Sequence, residues 1–391
     1  MRAPRRLVPF LALLLVLLSS GATSAAAPPV PDQLARRFQD AIDGPVARRP
    51  LAGITAAVIL PDGAEWRGAS GYADVDRKQP MLPTTPIVMG SITKTYISAV
   101  ILQLAEEGKL SIRDRLSRFL PDFPGARGIQ LWQLMAHSSG LHDYFEAPSY
   151  ERLVFGRPQH RWTYKEILKL VGRPYFKPGV RYHYSNTNYV LLGRIIRIVT
   201  GNSPAAEIHR RFLDPLGLTH TVLQGEEPLP PGGAKGYLWN GTRWLGLSDG
   251  SRFRPNTSAA TVASTAGGIL ATAGDVAEWG RALYSGRLLT PASMTALETV
   301  LPHEPYGLGV RRFDLADGRI AWGHTGSLRG TVSYLWYLPA EDITVVLVTN
   351  RGRVNLTTTM QRLVQLAVDA SMPAPPLRGA RPATWAMVAA R

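Results

Sequence analysis

The chain contains no cysteine among its 391 residues. That excludes disulfides, a thiol nucleophile, cysteine metal ligands and a lipid-modified N-terminal cysteine. It is also short of acid, with 29 Asp and Glu against 44 Lys and Arg, for a net charge of +15. The basic surplus is scattered, without a Lys/Arg run or interleaved aromatics, so nucleic-acid binding is not indicated. A generally basic surface is compatible with an anionic cell envelope. Beyond the N-terminus no run is long and apolar enough to span a bilayer. Three catalytic signatures are missing as well. There is no G-x-S-x-G, which sets aside the α/β-hydrolase nucleophile elbow. There is no H-E-x-x-H or Cys/His cluster to suggest zinc, and no G-x-x-x-x-G-K-[ST] to cradle phosphates. Neither a metal nor a cofactor is expected.

What is present starts at the N-terminus. Arg2, Arg5 and Arg6 precede an apolar run from Leu7 to Leu18, then small residues ending in Ala25-Ala26-Ala27. This is the layout of a secretory signal peptide over residues 1–27 and predicts export, with no stable membrane span after cleavage. The full chain is 45% apolar, ample for one large domain or two intimate ones held together by core burial.

"LAGITAAVIL-PDG-AEWRGASGYAD" reads as two strands joined by a turn at Pro61-Asp62-Gly63. "GTVSYLWYL-PAED-ITVVLVTN" is a second hairpin, and "NLTTTMQRLVQLAVDA" follows it with helical spacing at Leu356, Met360, Leu363 and Ala367. Strands from both termini predict one antiparallel sheet flanked by helices, an α/β part built from 32–110 and 286–372. Residues 111–285 read as an all-helical inserted part. It contains "IQLWQLMAHSSGL", "NYVLLGRIIRIVTG" stopped by Gly201, and "AGDVAEWGRALYSG". The Pro-, Ala- and Arg-rich segment 373–391 is expected to be a poorly ordered tail.

Three short stretches carry the chemistry. In "PIVMGSITKTYISAVILQLAEEGKL", Ile97, Ile101 and Leu104 form a stripe of helical period, with Gly108 just past its end. Ser91 then lies near the first turn, with Lys94 one turn on and on the same face. A hydroxyl there feels the positive end of the helix dipole, and a lysine beside it can take its proton if its pKa is depressed. By itself the pair is also what a helix cap and a surface lysine look like. In "KPGVRYHYSNTNYVLLG", Tyr184, Ser185 and Asn186 stand before a helix, and Ser185 or Asn186 is a candidate cap. In "AWGHTGSLRG", His324, Thr325 and Gly326 enter the last hairpin region.

S-x-x-K at a helix start, then Y-x-N, then H-T-G on a late strand, resembles the penicillin-recognising serine hydrolases. The pattern is similar to that of secreted D-alanyl-D-alanine carboxypeptidases and, more distantly, class C β-lactamases. "LMAHSSGL", "STAGGILATAGDVAEW" and "VVLVTN" support the likeness, which covers roughly 32–369. Class C β-lactamases usually carry lysine where this chain has His324, which favours the carboxypeptidase branch.

The resemblance implies a β-lactamase/DD-peptidase-like fold and a set of roles. Ser91 would attack a terminal peptide carbonyl, with Lys94 and Tyr184 as a coupled base. The oxyanion would lie between the amides of Ser91 and Ser327. Asn186 would orient the substrate amide. His324, Thr325 and Gly326 would line the strand edge along which an extended peptide lies, and Arg311 or Arg312 would meet its terminal carboxylate. The implied substrate is a peptide ending in D-Ala-D-Ala, or a β-lactam, and the implied protein is a monomer, secreted or associated with a bacterial cell wall. A β-lactamase, an esterase or D-aminopeptidase on the same fold, and a non-catalytic penicillin-binding module are the alternatives.

Overall fold

The computed structural model describes residues 27–48 and 50–372. The expected leader falls, all but its last residue, outside the described residues, and so does the 373–391 tail.

Twelve strands follow in chain order: β1 Gly53–Ile59, β2 Glu65–Asp74, β3 Gln79–Pro80, β4 Ile87–Val88, β5 Val222–Leu223, β6 Gly236–Trp239, β7 Trp244–Leu247, β8 Ile269–Ala271, β9 Arg311–Asp314, β10 Ile320–Leu328, β11 Thr331–Leu338 and β12 Ile343–Thr349. Seven of them form one sheet in the order β3-β2-β1-β12-β11-β10-β9. Every neighbouring pair is antiparallel. The N-terminal and C-terminal hairpins meet at β1 and β12, where Ile54 faces Thr349 and Ile59 faces Thr344. This is the expected sheet built from both ends of the chain.

The central strands read as unbroken apolar runs because both faces of the sheet are covered. Side chains alternate across a strand. Accordingly Ile54, Ala56 and Val58 join one core and Ala57 and Ile59 the other. Likewise Val345 and Leu347 point to one face, Val346 and Val348 to the opposite. The first face is covered by the Asp32–Arg48 and Thr357–Ser371 helices, which supply Leu34, Phe38, Ile42, Met360 and Leu363. The second face carries the helices around the site, including Thr93–Glu106 and Ala273–Tyr284.

The expectation of a wholly helical middle is corrected in two respects. Residues 111–285 supply β5 and β8 to a small antiparallel sheet completed by β4 of the preceding segment, and they form the β6–β7 hairpin. Strands of two to four residues cannot display a period-2 pattern, which is why they are not visible in the sequence. The Ala273–Tyr284 helix also packs directly on the main sheet. A Cβ on its Gly280 would sit 2.5 Å from Leu335 Cδ1 of β11. Amphipathic periodicity reveals that a helix has an apolar face, not which layer that face meets.

Phe38 tests the first layer. Its side chain is fully buried and its ring lies 5.2 Å from that of Trp66 on β2. Phe38→Ala is expected to cost about 3–5 kcal/mol by transfer and cavity terms, measured by urea unfolding. Ser91 lies off this layer and its reactivity below the transition should be unchanged.

Candidate active site

Ser91 sits in a single 3₁₀ turn, Gly90–Ile92, between β4 and the Thr93–Glu106 helix. Gly90 has φ of +54°, a left-handed conformation that suits glycine. Thr93 Oγ1 donates to the Gly90 carbonyl at 2.7 Å and accepts from the Ile269 amide at 3.0 Å. Ser333 Oγ donates to the Met89 carbonyl at 2.7 Å. The nucleophile turn is thus tied to both sheets. Gly108, at φ +69°, follows the helix end as expected.

Lys94 projects from the first helical turn and is fully buried. Its Nζ donates to Ser91 Oγ at 3.0 Å, to Asn186 Oδ1 at 2.9 Å and to the Ala266 carbonyl at 2.5 Å. No carboxylate touches it. Burial draws its pKa down from the usual lysine value to about 7, partly offset by the charge of Asp143. A neutral amine keeps two N–H groups, enough for Asn186 and Ala266, and turns a lone pair toward Ser91. The pair therefore has the geometry for proton removal from the hydroxyl.

Tyr184 stands beside them, its ring centroid 4.9 Å from Lys94 Nζ. Burial pushes the phenol well above its ordinary value, with only partial relief from a hydrogen bond to Ser91. Within the coupled Lys94–Tyr184 base that the resemblance implies, which leaves open the group that takes the proton, these surroundings disfavour the phenolate. Tyr184 stays protonated as a hydrogen-bonding group, and Lys94 is left as the group able to accept. The reason is desolvation, which disfavours the charged form of each: phenolate for tyrosine, ammonium for lysine.

Ser185 is the N-cap of the Asn186–Thr200 helix, with no side-chain cap bond, while Asn186 turns inward. Its Nδ2 donates to Asp143 Oδ2 at 2.9 Å, which directs Oδ1 to Lys94. The Asn186 amide thus first holds the lysine.

The H-T-G strand forms the opposite wall. β9 pairs with β10 only from Ile320 to Gly323, so the edge from His324 onward is left clear of it. Gly326 is packed against the nucleophile loop: a Cβ there would come 1.9 Å from the Met89 carbonyl oxygen and 2.3 Å from Ser333 Oγ. A Cβ on Gly90 would in turn stand 3.0 Å from the Ser327 amide nitrogen. The Ser327 amide therefore lies against the Ser91 turn, in keeping with an oxyanion donor. Ser91, Tyr184, Asn186, Arg311, His324, Thr325 and Ser327 all line one cavity of about 290 Å³.

Of the two arginine candidates, Arg312 forms an ion pair with Asp314 at 2.7 Å. Arg311 lines the cavity, and its buried Nε has no hydrogen-bond partner. His324 is almost completely buried, with Nε2 2.9 Å from the Tyr306 hydroxyl and Nδ1 2.6 Å from the Thr325 carbonyl. Burial first, then Lys94, lowers its pKa to about 3, so it is neutral near pH 7. Of the two arginine candidates, Arg311 is thus the one that shares the cavity with a neutral His324.

Sequence reasoning missed Asp143, His137 and Tyr306. His137 lies in "LMAHSSGL", a stretch that carried the likeness without suggesting what it touches, and Tyr306 lies shortly before Arg311, with no signal of its own. Among the described residues no group of three or more His, Asp or Glu is placed to hold a metal ion, and no helix is long and apolar enough to cross a membrane.

A lysine in contact with a serine at a helix start, walled by Y-x-N and H-T-G, on an antiparallel sheet with helices on both faces, defines a serine hydrolase of the β-lactamase fold. The family model described as Beta-lactamase matches residues 38–369, and the chain belongs to that family. It is 35% identical over 186 residues to the teichoic acid D-alanine hydrolase of Staphylococcus aureus, covering 48% of this chain and 43% of that protein. It is 27% identical to the D-aminopeptidase of Gluconobacter oxydans, over 82% of this chain and 59% of that one. The chain thus spans about half the length of these curated relatives. Among solved structures, a D-stereospecific amidohydrolase from Streptomyces sp. superimposes with a TM-score of 0.73 at 26% identity, covering 86% of this chain and 98% of that one.

Two predictions follow from the geometry. A lysine must lose its proton before it can accept another, so Ser91 acylation should rise with pH through a midpoint near 7. The Asp143 charge raises the Lys94 pKa, so Asp143→Asn should move that midpoint to lower pH. Acylation rate against pH for both proteins checks the sign. Gly326→Ala should force the H-T-G strand away from Met89 and lower acylation at least about 100-fold, because small displacements of a reacting group are costly.

Proposed function

We propose that this protein is an exported serine D-Ala-D-Ala carboxypeptidase that acts on cell-wall stem peptides through a Ser91 acyl-enzyme. The observation that carries the reading is Arg311 in the cavity shared by Ser91, Tyr184 and the open β10 edge. An extended peptide lies along that edge by strand addition. Its carbonyl oxygen enters between the Ser91 and Ser327 amides, and its terminal carboxylate meets Arg311. Neutral Lys94 takes the Ser91 proton as Oγ attacks. The protonated lysine, through the Tyr184 hydroxyl, returns a proton to the leaving D-alanine nitrogen as the C–N bond breaks. Water then attacks the ester in the reverse sense and regenerates Ser91. Asn186 holds Lys94 and turns its remaining N–H to the acyl side. The protein works without a cofactor or metal, as a monomer, outside the cell or on its wall, with the leader removed.

A second reading is favoured by the relatives, whose names speak of D-alanine release from teichoic acid and of D-amino peptides. Under it the acyl donor is a D-aminoacyl ester or amide, and no terminal carboxylate is present. β-Lactamase turnover is a third use of the same acyl chemistry.

Hydrolysis of a D-Ala-D-Ala peptide, a D-alanyl ester and nitrocefin, compared in one assay, separates the three. Under the lead reading, Arg311→Ala raises KM for the peptide with a free carboxylate at least about tenfold and leaves D-alanyl ester hydrolysis nearly unchanged, since a charge-assisted hydrogen bond is removed from one substrate only. Equal losses on both would favour the ester reading. Ser91→Ala should cut turnover of whichever substrate is accepted by roughly 10⁴-fold or more, with mass spectrometry locating the acyl adduct of the wild type on Ser91.

A further inference from the structure

His137 and Tyr306 are buried residues outside the three motifs and, with His324 of H-T-G, take no part in the proton transfers above. His137 Nδ1 is 3.1 Å from both the Ser185 amide nitrogen and Asn188 Nδ2. Asn188 is oriented by its other end, where Oδ1 accepts from Ser139 Oγ at 2.6 Å. Both neighbours of Nδ1 donate, so that nitrogen carries no proton and the hydrogen of the neutral ring is on Nε2. His137 Nε2–H then donates to the Tyr306 oxygen at 3.2 Å. The Tyr306 hydrogen is free to donate to His324 Nε2 at 2.9 Å. His324 accepts there, so its own hydrogen is on Nδ1, facing the Thr325 carbonyl at 2.6 Å, an atom that can only accept. A backbone N–H at one end and a backbone carbonyl at the other give the chain one direction.

The same three rings enclose Tyr184. Its centroid is 4.0 Å from that of His137, 6.1 Å from Tyr306, which meets it edge-on at 88°, and 6.4 Å from His324. The first donor of the chain, the Ser185 amide, is the next residue along from Tyr184. His137 itself has φ of +56°, an uncommon conformation for a residue with a Cβ, and its ring is fully buried.

We propose that His137 and Tyr306 are positioning residues: a one-directional hydrogen-bond chain from the Ser185 amide through His137, Tyr306 and His324 to the Thr325 carbonyl holds both imidazoles neutral in opposite tautomers and clamps Tyr184 against the H-T-G strand. Protonating His324 would turn its Nε2 into a donor. The Tyr306 oxygen would then face N–H groups from both rings, and the bond that Tyr306 donates to His324 would be lost. The groups that face His324 are Lys94 from the nucleophile helix, Tyr184 ahead of the Asn186–Thr200 helix, Tyr306, and Arg311 on β9. None is a carboxylate that would favour a second proton. The chain leaves Lys94 as the one group beside Ser91 that changes charge near neutral pH. Its bearing on acylation rests on the proposed function, whereas its tautomers do not.

Ring ¹⁵N correlation spectra of the whole protein read those tautomers directly among its eight histidines. The expected wild-type result is His324 protonated only on Nδ1 and His137 only on Nε2, unchanged from about pH 8 to about pH 5. Tyr306→Phe keeps the ring and removes only the hydroxyl. It should release His324 to exchange tautomers and to titrate, and slow Ser91 labelling by fluorescent penicillin or a p-nitrophenyl ester by about tenfold or more, at constant adduct position. His324 protonated on Nε2 or on both nitrogens at pH 7 overturns the chain, even if Tyr306→Phe fails to fold. Fixed tautomers as assigned, with Tyr306→Phe labelled at the wild-type rate, overturn the positioning role. If neither reagent labels wild-type Ser91, the proposed function fails, and the tautomers of the wild type and of Tyr306→Phe still decide the chain.

Discussion

A lysine ammonium buried without a carboxylate partner is the constraint on which the rest of the site depends. Lys94 Nζ has three acceptors, a hydroxyl, an amide oxygen and a backbone carbonyl, and all are neutral. Such a group sits close to the balance between charged and neutral forms, because burial opposes the charge and only the more distant Asp143 supports it. A carboxylate in contact would hold the proton on the amine and end its use as a base. Asp143 is held one residue away by Asn186, which takes the hydrogen bond from Lys94 on one side and gives one to Asp143 on the other.

Keeping that lysine dry requires walls from distant parts of the chain. The Ala266 carbonyl comes from the far end of the Thr257–Gly267 helix, Asn186 from the start of another, and Ser91 from the turn after β4. The two sheets meet at this turn. Met89 is hydrogen-bonded to Ile269 of β8 and to Ser333 of β11, and Gly326 of β10 lies flat against it. Glycine at position 326 is therefore a packing requirement, in which two backbones approach more closely than a Cβ permits. The same contact brings the Ser327 amide against the Ser91 turn, where the proposed oxyanion site would lie.

Polarity is distributed with the same economy of charge. His137, Tyr306 and His324 are buried, yet each ring heteroatom has a partner of the complementary kind. A low-dielectric interior strengthens such bonds when satisfied and penalises them when not, so the network tolerates few arrangements. Its neutrality matters for Lys94, whose pKa a second cation in the cavity would depress further. Arg311 lines the same cavity as Ser91 and His324.

Much of this was legible in the sequence. The continuous apolar runs of Gly53–Ile59 and Ile343–Thr349 marked central strands, and the resemblance carried by S-x-x-K, Y-x-N and H-T-G implied that Ser91, Lys94, Tyr184, Asn186 and His324 share one site. Those signals are local: side-chain period and the spacing of a few residues within one turn. The short strands Val222–Leu223 and Ile269–Ala271, the docking of the Ala273–Tyr284 helix on the sheet, and the parts played by Asp143, His137 and Tyr306 were decided only by tertiary structure. So was the protonation of the site, with Lys94 drawn toward neutrality and Tyr184 and His324 held neutral. A residue's type fixes the charges it can adopt, but the cost of each charge depends on the water excluded around it and on partners that lie 43 to 172 residues away in the chain.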